Sequence, residues 1–125
     1  MKKLCIFLVL MVSILGGCSG KYMVFSGESK NWEGNYSTTI NGNDEDGSYT
    51  FNYKNGDGNT KFKNIEVVIS QGGSETSKIE EDYKGAIYKI KSSCQRCAVT
   101  SEGEKMKVTI KWDSENEETF FLDQK

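Results

Sequence analysis

The sequence predicts an all-β domain, an antiparallel two-sheet sandwich of the immunoglobulin-like kind with seven to eight short strands. Apolar and polar residues alternate with a period of two in several short stretches. Clusters of Gly, Asn, Asp and Ser separate these stretches, roughly every 8 to 12 residues. No helical stretch is long enough for the crossover connection that parallel strands need. The strands should therefore pair antiparallel.

The clearest strand is residues 32–40, where one face carries Trp32, Tyr36 and Ile40 and the other face is polar. A period of two is typical of a half-buried strand. We therefore expect the large aromatic residues of this face in the core.

The remaining predicted strands show the same alternation or are rich in β-branched and aromatic residues. They are residues 22–25, 49–54, 62–70, 85–92, 105–112 and 119–122. Polar turn-forming segments connect them, including a loop at residues 41–47. Residues 75–82 are the only helix-like piece, and we expect at most a turn or two of helix, or a mobile loop, there.

The chain begins with basic residues, continues with apolar residues and then has small residues. Lys2 and Lys3 precede residues 4–15, which are apolar apart from Ser13, and two glycines follow before Cys18. This order predicts a secretory signal peptide. The apolar run is shorter than the roughly 20 residues of a membrane-spanning helix.

The segment that ends at Cys18 resembles the lipobox of bacterial lipoproteins. The resemblance implies that diacylglycerol is attached to Cys18 and that the chain is cut between Gly17 and Cys18. The chain then divides into a signal peptide (residues 1–17), a lipidated tether (18–21) and one β domain (22–125). We expect it on the outer face of the bacterial cytoplasmic membrane. The alternative is an ordinary cleaved signal in which Cys18 is incidental.

Size and charge favour one domain that does not bind nucleic acid. Without the 17 signal residues, 108 of the 125 residues remain, which suits a single domain. They carry 14 basic and 18 acidic residues, a net charge of −4. Nucleic-acid binding needs a concentrated basic patch, and this sequence has none.

The absence of histidine restricts the chemistry of the chain. It removes Ser-His and Cys-His nucleophiles, the usual general base near neutral pH and most zinc sites. The carboxylates lie in turns or on polar strand faces. We expect no enzymatic activity, no cofactor and no metal.

The acidic loop at residues 41–47 partly fits a calcium-binding pattern. Asp44 and Asp46 match it, but the first ligand position is Gly42 and the last is Tyr53. A plain polar hairpin loop is the preferred interpretation.

The cysteines allow one disulfide in the domain. Cys5 leaves with the signal peptide and Cys18 is lipidated, so Cys94 and Cys97 remain as a pair in an oxidising compartment. A redox site would place Cys94 at a helix start, but the following residues 98–101 favour a strand. A zinc ribbon would need a second pair. We expect a local disulfide at a bend, contributing roughly 2 kcal/mol.

Three interpretations exist for the aromatic residues. Trp32 and Trp112, with the aromatic residues of 49–54, are expected in the core. The alternatives are an exposed recognition patch formed by Trp32 with its neighbours Glu28 and Lys30, and an exposed stripe of Tyr49, Phe51 and Tyr53 that stacks on sugars.

Residues 27–32, with the sequence GESKNW, look like a motif of small uncharacterised lipoproteins of Gram-positive bacilli. The similarity includes residues 93–100 and the closing strand 108–112, with Glu118 and Leu122 behind it. The resemblance implies secretion, lipidation and one β domain. It implies no activity and no functional residue beyond the lipid-bearing cysteine.

Together these observations predict a lipid-anchored binding or interaction module. Its partner would be an envelope protein or a cell-wall ligand. The alternative is an envelope thiol-redox protein that uses Cys94 and Cys97.

Overall fold

The computed structural model describes residues 20–125, which form eight β-strands and no helix. The strands are β1 (Lys21–Glu28), β2 (Trp32–Asn41), β3 (Asp44–Tyr53), β4 (Lys61–Gln71), β5 (Ser74–Lys84), β6 (Ile87–Cys94), β7 (Met106–Trp112) and β8 (Asn116–Gln124). The predicted signal peptide, with Cys5 and Gly17, and the predicted lipidation residue Cys18 lie outside the described residues. In the described part, no helix has the length and apolar composition that a bilayer crossing requires.

The eight strands form one antiparallel sheet in the order β5-β4-β7-β8-β1-β2-β3-β6. The sheet curves until it is nearly barrel-shaped. The predicted all-β, antiparallel class is confirmed, but the two-sheet, immunoglobulin-like arrangement is not. The reason is the pairing of β8 with both β7 and β1, which joins the strands into one sheet through Phe25 opposite Gln124 and Ser26 opposite Asp123.

The two edge strands, β5 and β6, approach each other where the barrel would close. They follow each other in the chain, joined by Gly85 and Ala86. The ring of Tyr83 packs edge-on against Tyr88, with 4.8 Å between centroids, and Lys78 Nζ lies 5.4 Å from the Tyr88 ring centroid. Side chains, rather than a strand ladder, therefore bridge the two edges in the described chain.

The core lies on the concave face of the sheet and is aromatic near the turn between β1 and β2. Trp32 is fully buried, and its ring centroid lies 5.5 Å from Phe62 and 5.6 Å from Trp112. Trp112 is only 5% exposed. The predicted burial of both tryptophans is confirmed. Glu28 instead forms an ion pair with Lys54 at 2.8 Å.

The GESKNW segment fastens the turn between β1 and β2 to β8. Ser29 Oγ and the backbone N–H of Asn31 donate to Glu118 Oε1, and Asn31 Nδ2 donates to Glu118 Oε2. Burial alone would raise the pKa of Glu118, but these bonds outweigh it and lower the pKa. A Cβ at Gly27 would lie 1.9 Å from the carbonyl oxygen of Phe121, so the close crossing of β8 requires glycine there. The GESKNW segment therefore holds the turn between β1 and β2 against β8.

The prediction of helix or mobile loop for residues 75–82 is wrong, because this segment belongs to β5. β5 lies at the edge, and all but two of its residues are exposed. Its inward-facing residues Thr76, Lys78 and Glu80 pair with the buried positions of β4 but are polar themselves. The inward face of β5 is therefore polar, the outward face is polar apart from Ile79, and no period of two marks the strand.

Substitution of either core tryptophan tests this packing. We expect Trp32→Ala and Trp112→Ala each to lower the free energy of unfolding by roughly 3 to 5 kcal/mol, the range for a buried aromatic side chain. Chemical unfolding followed by circular dichroism is the measurement. Tyr22→Ala is the control, because Tyr22 is 65% exposed and its loss should change stability by less than about 0.5 kcal/mol. A loss below about 1 kcal/mol for either tryptophan would contradict its place in the core.

Candidate functional site

One end of the sheet gathers the amino terminus, the cysteine pair and a cavity. Because the strands are antiparallel, the start of β1 lies beside the turn at residues 42–43, the turn at residues 72–73 and the loop 95–105. An ion pair of 2.5 Å joins Lys21 Nζ to Glu102 Oε1 across this end. We call it the N-terminal pole and the opposite end the distal pole.

A cavity of about 340 Å³ opens at the N-terminal pole. It lies inside the curve of the sheet, between β3 and the ends of β4, β5 and β6, and residues 98–101 cover part of it. Its polar lining includes Tyr49, Ser74, Thr76, Ser92 and Glu104. The volume falls in the range of small-molecule sites.

The buried carboxylate of Glu45 joins the cavity wall to its cover. Glu45 Oε2 accepts hydrogen bonds from Tyr36 Oη at 2.6 Å, Thr38 Oγ1 at 2.8 Å and Thr100 Oγ1 at 2.8 Å. Glu45 Oε1 accepts one from the backbone N–H of Thr100 at 2.7 Å. Burial alone would raise the pKa of Glu45, but the four donors outweigh burial and lower it. The group stays ionised and occupied, so it acts as a structural anchor and not as a general base.

The attachment to Glu45 also decides the conformation of residues 98–101. These residues form no strand, so their predicted strand character is wrong. Thr100 is buried against Glu45, and Gln71 Nε2 donates to Thr100 Oγ1 at 2.7 Å and to Glu104 Oε2 at 3.0 Å. Side-chain hydrogen bonds thus replace a sheet ladder in this segment.

Tyr49 lines the cavity with a hydroxyl that forms no hydrogen bond within residues 20–125. Its ring is stacked on Tyr36 with centroids 4.1 Å apart, and the residue is only 4% exposed. Burial, together with the carboxylates of Glu45 and Glu104, raises the pKa of Tyr49 to about 12. A phenol is neutral near pH 7 even at its ordinary pKa of 10, and this one stays neutral over a wider range of pH in the cavity wall.

Cys94 and Cys97 form a disulfide at a bend beside this cavity, with 6.1 Å between their Cα atoms. Arg96 adopts a φ of 55°, which is unfavourable for a residue other than glycine. The backbone N–H of Arg96 donates to Asp44 Oδ1, and that of Cys97 donates to Asn43 O. The turn between β2 and β3 thus supports the disulfide loop, and no helix begins at Cys94.

The predicted loop at residues 41–47 is shorter than expected. Only Gly42 and Asn43 form the turn, and β3 begins at Asp44. The Asp46 carboxylate accepts a hydrogen bond from Ser93 Oγ at 2.7 Å. Among residues 20–125, no three His, Cys, Asp or Glu side chains are grouped so that they could hold a metal ion.

Comparison with protein families, curated proteins and solved structures found no match to this chain.

Glu45→Gln tests whether the charge of Glu45 stabilises the attachment of residues 98–101. We expect a loss of roughly 1 to 3 kcal/mol at pH 7, because the charge that the four donors stabilise is gone. In the wild type this stabilisation is present above the ordinary pKa of 4.5 and is lost as the pH falls through the lowered pKa of the folded state. The stability difference between the two proteins should therefore shrink in acid.

Thermal unfolding at a series of pH values is the measurement, with Glu33→Gln on the exposed face as the control. A stability difference for Glu45→Gln that stayed constant across the acid range would contradict the anchoring role of the charge.

Proposed function

We propose that the protein is a lipid-anchored binding module on the outer face of the bacterial cytoplasmic membrane, with no catalytic activity. The observation that carries the proposal is the order of basic, apolar and small residues ending at Cys18. The resemblance to the lipobox, and to small lipoproteins of Gram-positive bacilli, supports the same role. Diacylglycerol on Cys18 is the membrane attachment.

The position of β1 supports a short distance between the lipid and the domain. β1 begins at Lys21, three residues after Cys18. Three extended residues span about 11 Å at most. The N-terminal pole, with its cavity, would then face the membrane surface, and the distal pole would point away.

The chemistry of the cavity supports binding more than catalysis. The Glu45 carboxylate is occupied by four donors, and the chain has no histidine to act as a base. The free Tyr49 hydroxyl is suited to hold a ligand. The partner is an envelope protein or a cell-wall ligand, and the net negative charge of the domain argues against nucleic acid.

A second candidate function is thiol-disulfide exchange. Cys94 and Cys97 are partly exposed and border the cavity, which favours access by a partner thiol. The irregular segment after Cys97 argues against it, because a helix start normally lowers the pKa of the attacking thiol.

Cys18→Ala tests the anchor in its native membrane. We expect the variant to lack diacylglycerol and to accumulate as uncleaved precursor or to be released. Membrane fractionation with intact-mass analysis is the measurement, and Cys5→Ala is the matched control that should still be lipidated. A wild-type mature mass without diacylglycerol would overturn the proposal.

Replacement of both Cys94 and Cys97 by serine separates the two candidate functions. We expect the fold to remain and stability to fall by about 2 kcal/mol or less, because the disulfide closes only a short loop. Thermal unfolding with and without reductant measures this, beside an insulin-reduction assay. Catalytic insulin reduction by the wild type, lost in the double variant, would favour the redox function.

A further inference from the structure

The cavity at the N-terminal pole is negatively charged. Within residues 20–125, its lining carries the two carboxylates of Glu45 and Glu104 and no lysine or arginine. The nearest inward-facing lysine on β5 is Lys78, which lies against the ring of Tyr88 and does not line the cavity. An anionic ligand would meet uncompensated negative charge, so the electrostatics favour a cation.

Glu104 has the free acceptor that a cation needs. Its Oε2 accepts hydrogen bonds from Gln71 Nε2 and from the backbone N–H of Ser101, each at 3.0 Å. Its Oε1 accepts none from the described residues, and Glu104 is half-buried at the rim of the cavity. Glu45, by contrast, has both oxygens occupied and contributes charge only.

Tyr49 is an independent indication of a ligand. It is more than nine-tenths buried, it lines the cavity, and its hydroxyl has no hydrogen-bond partner in the described chain. The oxygen itself is not sealed off by protein, so it faces the cavity, where a bound molecule can replace water as its partner. A neutral phenol can accept from an ammonium group and donate to a hydroxyl.

We propose that this cavity binds a small polyhydroxylated primary amine, of the amino-sugar class. Glu104 Oε1 and Tyr49 Oη receive its ammonium group, and the hydroxyls of Ser74, Thr76 and Ser92 receive its hydroxyl groups. The volume of about 340 Å³ suits a single sugar-sized molecule and not a folded partner. This inference rests on the proposed binding role and names the class of ligand.

Three sugars that share the same ring but differ in charge test the proposal. Glucosamine, glucose and glucuronate are titrated calorimetrically into the full-length lipidated protein in detergent. We expect glucosamine to bind one to one, glucose to bind at least about tenfold more weakly, and glucuronate not to bind. Equal binding of the three probes, or no binding of glucosamine at millimolar concentration, would overturn the proposal.

Substitutions locate the binding to these residues. Tyr49→Phe removes only the hydroxyl, and Glu104→Gln removes only the charge; each should weaken glucosamine binding about tenfold, and Glu104→Gln should also remove the preference over glucose. Thr76→Lys adds a positive charge at an exposed position in the cavity lining and should abolish binding. This variant leaves loop 95–105 unchanged, so it tests the site even if Glu104→Gln unfolds that loop. Glu33→Gln makes the same charge change on the outer face and should bind like the wild type. Unchanged binding in Tyr49→Phe and Thr76→Lys would overturn the assignment.

These experiments distinguish a failure of the lipid-anchor proposal from a failure of the ligand proposal. If the wild-type protein carries diacylglycerol but binds none of the probes, the membrane role stands and the ligand class is wrong. If glucosamine binds but the protein carries no lipid, the cavity assignment stands and the anchor is wrong.

Discussion

The Glu45 carboxylate is the contact on which the N-terminal pole depends. An ionised carboxylate buried without a positive partner is costly unless hydrogen bonds replace the lost water. Here all four bonds come from neutral donors, on β2 and on the segment that contains Thr100. The charge therefore joins two distant parts of the chain, and the position of the cavity cover follows from this attachment.

Local pattern was sufficient to predict most of the fold. Seven of the eight strands correspond to predicted strands, although their ends differ, because burial on one face imposes a period of two on strands such as β2. β5 could not be found in this way, since neither of its faces is buried. The order of the strands also escaped prediction, because the pairing of β1 with β8 joins segments far apart in the sequence. That pairing is what makes one curved sheet out of an expected sandwich.

The candidate site was only partly visible in the sequence. The cysteine pair was recognised from its spacing, but Glu45 was assigned to a polar loop. A signal was present, since Glu45 has the same parity as Tyr49 and Phe51, whose side chains face the core. It was obscured because an acidic residue beside Asp44 is normally solvated. The contact with Thr100 could not be predicted, because Thr100 reaches Glu45 across 55 positions of sequence.

The exposed edge of β5 bears on how copies of the protein meet one another. β5 pairs with β4 along one edge only, and along its other edge its 11 residues offer backbone N–H and C=O groups to a neighbouring chain, which is the geometry of intermolecular sheet extension. In β5, charged residues occupy much of this edge: Glu75, Lys78, Glu80, Glu81, Asp82 and Lys84. A second copy that approached the edge would have to strip water from these groups before any ladder formed. The charges of β5 therefore oppose sheet extension between copies, and the polar character that hid the strand from sequence analysis has this second effect.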